Sequence, residues 1–320
     1  MKTVRAYLGP LALTALLLVL LEGWTAWMLK KNYDRSYDVS IVQPRRYGAT
    51  DGLKPNACGT VFGKTLCTDS WGGRRLTPGK QRRKKFIFIG DSVTEGIGVA
   101  DSATFTQYIN LHTDAEVHAI AMAGWSSADY VNVMKNATWP IDNADTVTLI
   151  WCWCLNDIYG KHTQSSLPIQ GKEDWLHRTG RFLQKNCHLY QWLKLLVFQH
   201  ADAYYTYDAA FYQNKAYVVE AQKDIQQAAE WCAAHGYQFA LALLPYRSQL
   251  KHQQHNPQQQ MMTVAQLLHV PVINLLDYWP KQEDAARCFL WADEIHFSPE
   301  GHQTAGAILA KESLLLSKEK

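Results

Sequence analysis

Ser92, Asp293 and His296 have the types and settings that nucleophilic acyl chemistry requires. Ser92 lies in Gly90-Asp91-Ser92-Val93-Thr94-Glu95-Gly96, directly after the apolar run Phe86-Ile87-Phe88-Ile89. A serine hydroxyl attacks poorly at its own pKa. It needs an adjacent base, and the base needs a group that fixes its tautomer and stabilises the imidazolium. His296 and Asp293, three residues apart, can supply both. Ser298 reads as a helix N-cap and Pro299 as a first helical residue, which places the Asp-His pair on the loop entering a closing helix. Asp174 and His177 repeat the spacing inside a helical pattern without a cap signature, and are set aside as a decoy. Acyl transfer also needs donors aimed at the developing oxyanion, each worth about 3 kcal/mol of the barrier. Gly124 can offer its backbone N–H, Asn156 its side-chain amide and Ser92 its own N–H.

Such groups act together only if the fold delivers them to one place. Residues 86–89, 117–122, 146–154, 239–244 and 272–276 read as short apolar strands, and residues 104–112, 128–135, 215–235 and 258–269 as helices between them. This alternation predicts a three-layer α/β/α fold with a five-stranded parallel sheet covered on both faces. Open parallel sheets bind ligands beyond the carboxyl ends of their strands, where Ser92, Gly124 and Asn156 all fall. Between Asp157 and Lys215 the strand rhythm stops. Residues 158–214 read as a helical, aromatic-rich insert beside the site. Residues 253–260 read as a polar, Gln-rich loop, and no internal repeat or low-complexity tract is visible.

Ser92, Gly124, Asn156 and His296, in this order and at four strand ends, resemble the four blocks that give the SGNH (GDSL-like) hydrolase family its name. The resemblance spans residues 86 to about 316. It implies an SGNH/flavodoxin-like fold and a serine ester hydrolase, with Ser92 as nucleophile and Asp293 with His296 as acid and base. Gly124, Asn156 and the Ser92 N–H would be its oxyanion donors. The stretch Asp69-Ser70-Trp71-Gly72-Gly73-Arg74 is similar to the lead-in of membrane-linked bacterial members. One position departs from the pattern: Cys154 stands where the third block usually carries glycine, and could narrow the pocket or alter the approach of Asn156.

The 320 residues are 47% hydrophobic and 19% charged with a formal net charge of +3, an ordinary globular balance. Arg82-Arg83-Lys84-Lys85 reads as a solvated strand entrance, so no nucleic-acid partner is expected. Residues 7–29 are apolar apart from Glu22, long enough to cross about 30 Å of hydrocarbon, and lack a convincing cleavage site. They are read as an uncleaved single-pass anchor, with Glu22 facing a partner helix or snorkelling to headgroups. The expected organisation is an anchor at 1–30, a linker and irregular lead-in at 31–85, and the hydrolase domain at 86–320. Basic residues flank the anchor on both sides and leave its orientation open. The family resemblance and the Cys58/Cys67 pair favour a periplasmic or extracytoplasmic domain. That pair flanks a short Gly-containing loop, a spacing compatible with a disulfide or with two free thiols. Cys152 and Cys154 read as buried apolar thiols, and His302 in the closing helix has no companion ligands, so neither metal nor cofactor is expected.

The expected substrate is a small acyl ester, acetyl before others, on an envelope or exported polysaccharide. The anchor would hold the site near such glycans, and Trp175, Tyr190, Trp192, Tyr204, Tyr205, Tyr207 and Tyr212 could offer faces to sugar rings. The same triad would also serve an O-acyltransferase, a lipase or a thioesterase, and a membrane-tethered binding domain without activity is the bland alternative.

Overall fold

The strand that precedes Ser92 is buried along almost its whole length: six of the seven residues of Lys84–Gly90 are inaccessible. A strand apolar on both faces belongs in the interior of a parallel sheet, between two other strands and with helices above and below. That is its position in the computed structural model, which describes residues 2–77, 82–139, 141, 144–162, 175–197, 201–280 and 285–316.

In chain order, helix α1 (Lys2–Asn32) is followed by two antiparallel hairpins. The first pairs β1 (Val42–Tyr47) with β2 (Thr50–Leu53), and the second pairs β3 (Cys58–Val61) with β4 (Lys64–Cys67). Then come β5 (Lys84–Gly90), α2 (Ser92–Glu95), α3 (Phe105–His112), β6 (Glu116–Ala121), α4 (Ser127–Asn136) and β7 (Thr146–Trp153). Helices α5 (Trp175–Asn186), α6 (His188–Val197), α7 (Ala201–Phe211) and α8 (Lys215–Ala234) lead to β8 (Gln238–Leu243). The chain closes with α9 (Arg247–His252), α10 (Asn256–Leu267), β9 (Val272–Asn274), α11 (Leu275–Tyr278) and α12 (Pro299–Leu316). The main sheet has the order β6-β5-β7-β8-β9, and every neighbouring pair is parallel.

Strand parity sorts the two helical layers. Phe88 meets Phe105 of α3, which stacks on His302 of α12. Trp151, paired with Ile89 and therefore on the other face, meets Tyr130 of α4 and bonds Met134 through its indole N–H. The three-layer fold with five parallel strands is thus the one expected, with element ends moved by a residue or two. Residues 275–276, expected to end the last strand, instead begin the helical turn α11. The Gln-rich loop is corrected from residue 256 onward. Pro257 lies in the first turn of α10, and Gln258 turns inward to exchange amide hydrogen bonds with Gln249, so a polar sequence there forms a half-buried helix.

The chain divides into two compact units, Met1–Arg35 with Pro168–His200, and Ser36–Leu167 with Ala201–Lys320. Within residues 31–85, expected as a linker and irregular lead-in, the chain from Ser36 onward belongs to the unit that carries the sheet and forms the two hairpins. Its hairpins enclose a small core of Ile41, Leu53, Val61 and Leu66 with Ile97. The strands are too short to show a period. What marks the second hairpin is its two-residue turn, Phe62-Gly63, with φ of 48° and 70°. A turn with both φ positive matches the right-handed strand twist. Cys58 and Cys67 stand opposite each other in this hairpin and form a disulfide.

In the other unit, α1 is bare along Leu11–Leu21, a range in which Leu16, Leu17, Leu18, Val19 and Leu20 are all more than half exposed. From Glu22 onward one face is covered, and Thr25 and Leu29 are buried. The Glu22 carboxylate accepts the backbone N–H groups of His188 (2.7 Å) and Leu189 (2.8 Å), capping α6 from a different helix, and Trp24 meets Trp192 edge to face. The expectation that Glu22 faces a partner helix thus has a counterpart in α6. Of the decoy pair, Asp174 lies outside the described residues, as does the side chain of His177.

Candidate active site

Asp91 follows β5 and caps α2, its carboxylate accepting the Val93 N–H at 3.0 Å. The single turn that follows closes at Gly96, whose φ of 72° is left-handed, where a Cβ would stand 2.7 Å from Thr104. Ser92 is thereby held at the first position of a short helix at the carboxyl end of β5. Its Oγ lies 2.9 Å from His296 Nε2. His296 Nδ1 lies 2.8 Å from Asp293 Oδ2, while Asp293 Oδ1 accepts the backbone N–H groups of Ile295 (2.8 Å) and His296 (2.9 Å). A carboxylate so occupied keeps the Nδ1 proton on the imidazole and leaves Nε2 as the base facing Ser92. The loop bearing the pair is anchored where Ser298 caps α12, its hydroxyl accepting the Gly301 N–H.

The oxyanion candidates stand on the two strands beside β5. Gly124 follows β6; its φ is 83°, its surroundings are open, and its N–H has no protein partner among the described residues. Asn156 follows β7 on a 3₁₀ segment (Leu155–His162) and donates from Nδ2 to Asp91 Oδ2 at 3.2 Å. The Ser92 hydroxyl lies 3.4 Å from that same carboxylate oxygen, so Asn156 and Ser92 meet around Asp91. Each predicted site residue is therefore at the same sheet edge. Cys154 is a buried free thiol whose backbone N–H donates to Asp157 at 2.7 Å, and burial pushes that thiol well above its ordinary pKa.

Several groups around this edge carry no signal in the sequence read alone. Phe62, from the tip of the second hairpin, sets its ring edge to face against His296 at 5.6 Å. A bulky residue at positive φ is strained by roughly 1 kcal/mol or more, and here the strained residue touches the candidate base. Glu95 is fully buried, and its carboxylate accepts the Tyr37 hydroxyl at 2.7 Å and the Ala123 N–H at 2.6 Å, one residue before Gly124. Desolvation raises its pKa to about 7 against the lowering effect of those bonds and of Arg74. Arg74, also buried, donates to the carbonyls of Glu95, Gly96 and Val99 and pairs with Asp101. The Asp-Ser-Trp-Gly-Gly-Arg stretch was the one clue to it. His302 is buried with its Nδ1 accepting the Phe105 N–H, and burial lowers its pKa to about 3. Among the described residues no three His, Cys, Asp or Glu side chains gather as a metal site.

The aromatic insert is mostly spent on packing where it is described. Tyr212 is buried and bonds Trp153 and Leu155, Tyr205 is buried, and Tyr207 packs with Tyr159 and Phe211. Trp192 meets Trp24. The side chain of Trp175 lies outside the described residues.

No protein-family model matches the sequence, and no curated protein is similar to it. Among solved structures the chain is similar to a member of the lipolytic protein G-D-S-L family from Veillonella parvula, at 14% identity and a TM-score of 0.43, over 71% of this chain and 97% of that one. It is also similar to a lipase/acylhydrolase from Enterococcus faecalis, at 13% identity and a TM-score of 0.42, over 72% and 94% of the two chains. Likeness at this level leaves the function to be read from the site itself.

Proposed function

We propose that this chain is a serine ester hydrolase of the SGNH (GDSL-like) family, with Ser92 as nucleophile, His296 as general base and acid, and Asp293 as the group that orients it. One observation carries the reading: the unbroken line Asp293–His296–Ser92, at 2.8 and 2.9 Å, joins residues 204 positions apart in the sequence. His296 takes the Ser92 proton as Oγ bonds to the ester carbonyl carbon. The carbonyl oxygen becomes an oxyanion facing the N–H groups of Ser92, Gly124 and Asn156. Collapse breaks the bond to the alcohol, which leaves with the proton from His296. Water, deprotonated by the same imidazole, then attacks the acyl-Ser92 ester, and the acid departs as Ser92 recovers its proton.

The test is ester hydrolysis by the full-length protein in detergent. Ser92→Ala and His296→Ala should each lower kcat by at least about 10³-fold without lowering the unfolding temperature; full activity in Ser92→Ala sinks the mechanism.

We place the chain in a membrane through α1. The bare stretch Leu11–Leu21 supports this, and the capping of α6 by Glu22 supports retention of α1 over its cleavage. The Cys58–Cys67 disulfide favours a domain outside the cytoplasm. A C-terminal alkaline phosphatase fusion should be active, and a cytoplasm-only reporter should be silent. The acyl group we place first is acetyl, on an envelope glycan within reach of the anchor, although Tyr205 and Tyr212 lend it no support because they are buried. Acetyl p-nitrophenyl esters should be cleaved faster than decanoyl esters, and acetate should be released from an acetylated polysaccharide.

A further inference from the structure

An oxyanion hole built on an asparagine needs more than the residue. The amide has two ends of similar shape, and only its N–H end can face the oxyanion. In this chain the Asn156 Nδ2 already gives one hydrogen to Asp91 Oδ2. What holds the carbonyl end is a second pair from elsewhere in the fold. The Tyr246 hydroxyl, just beyond the carboxyl end of β8, lies 3.3 Å from Asn156 Oδ1, and the same hydroxyl lies 2.6 Å from Asp208 Oδ2 on α7. Asp208 is 2% exposed and Tyr246 fully buried, so no bulk water substitutes for either bond.

We propose that Asp208 and Tyr246 are positioning residues for the oxyanion amide, holding Asn156 with its carbonyl turned inward so that one N–H remains for the substrate's oxygen. This inference rests on the hydrolase reading above and names residues which that reading does not use.

The physical reason is a count of hydrogens. A phenol has one, and Tyr246 is flanked by two acceptors. If Asp208 is neutral, its O–H donates to the Tyr246 oxygen and the phenolic hydrogen goes to Asn156 Oδ1, which completes the chain. If Asp208 is ionised, the short charge-assisted bond claims the phenolic hydrogen. Tyr246 then presents a lone pair to Asn156 Oδ1, two acceptors face each other, and the amide is held only through its donation to Asp91 Oδ2. Only the neutral state of Asp208 thus holds both ends of the catalytic amide. The titratable groups facing the pair are Asp91 after β5, Cys154 after β7 and Tyr212 just past α7. Burial, opposed by the Tyr246 bond and helped by the charge of Asp91, raises Asp208 to about 7. The neutral form prevails below that value, so the positioned state is lost as pH rises through it.

The experiment is a pH profile of kcat and KM for a short ester with the full-length protein, its variants Tyr246→Phe and Asp208→Asn, and Ser92→Ala as control. Wild-type kcat should fall as pH rises through about 7. Tyr246→Phe should lose about ten-fold in kcat, a fraction of what a whole donor is worth, with KM within about two-fold. In Asp208→Asn the new amide donates permanently to Tyr246, so kcat at pH 6 should stay within about two-fold of wild type and the alkaline fall should disappear. A Tyr246→Phe protein with the wild-type kcat and profile overturns the inference. So does an Asp208→Asn protein that keeps the fall, and this second variant decides the matter if Tyr246→Phe does not fold. Activity retained in Ser92→Ala strikes the hydrolase reading instead and is read separately from both.

Discussion

The carboxyl edge of the sheet and the two hairpins between Ser36 and Thr77 contribute to one site in opposite ways. The edge supplies most of the groups with chemistry: Asp91, Ser92, Gly124 and Asn156 all stand just past the carboxyl ends of buried, mutually paired strands. The hairpins supply no reactive group. They have a core of a few side chains and a disulfide, yet Phe62 touches the candidate base, and Tyr37 bonds the carboxylate that holds Ala123 beside Gly124. The nucleophile and the oxyanion donors thus come from the strand ends of the sheet, and part of what steadies them and the base on its loop comes from the hairpin region.

That contrast can be broken at three points. Removing Asn156 attacks the edge itself. Asn156→Ala should cost about 10²- to 10³-fold in kcat with little change in KM, because its amide faces charge that exists only after attack. An equal effect on KM with kcat unchanged would show a binding role instead.

Arg74 joins the two regions, so its loss should appear as stability before chemistry. Arg74→Met leaves three carbonyls and Asp101 without their donor. Taking one member from a buried charged network costs on the order of 3 kcal/mol, to be read as a lowered unfolding temperature by circular dichroism. An unchanged unfolding temperature would mean that the hairpins are held by their own core alone.

The smallest effect should come from Phe62. Phe62→Ala removes the ring from His296 but keeps the turn, and should lower kcat by about three- to ten-fold, with a stability loss of about 1 kcal/mol because ring contacts go while the Cβ keeps the φ strained. Phe62→Gly should be more stable than Phe62→Ala and no more active. If the two variants differ in kcat and not in stability, the turn's conformation matters to the base and the ring does not.

Much of this site was legible in the sequence because its parts are local. Gly-Asp-Ser after an apolar run, Asp293 three residues before His296, and Ser298-Pro299 at a helix start are each patterns within one stretch of chain. The five strands and the helices between them were legible for the same reason: burial on both faces makes short apolar runs, and helix burial makes longer periodic ones. The hairpins are not legible in the sequence because strands of four to six residues are too short to show a period.

What the tertiary structure decided is whatever depends on a partner far along the chain. No local rule says that Glu22 will cap α6, that Phe62 will meet His296, or that Tyr246 and Asp208 will bracket the amide of Asn156. The same holds for the aromatic insert, where composition offered sugar-facing platforms and packing turned Tyr205 and Tyr212 inward. The sequence by itself determined which residues could react and on which strand ends they would stand, because backbone periodicity and capping are short-range. How those residues are oriented and how buried their neighbours are was decided by packing, because desolvation and hydrogen-bond partnership exist only once distant segments have closed over one another.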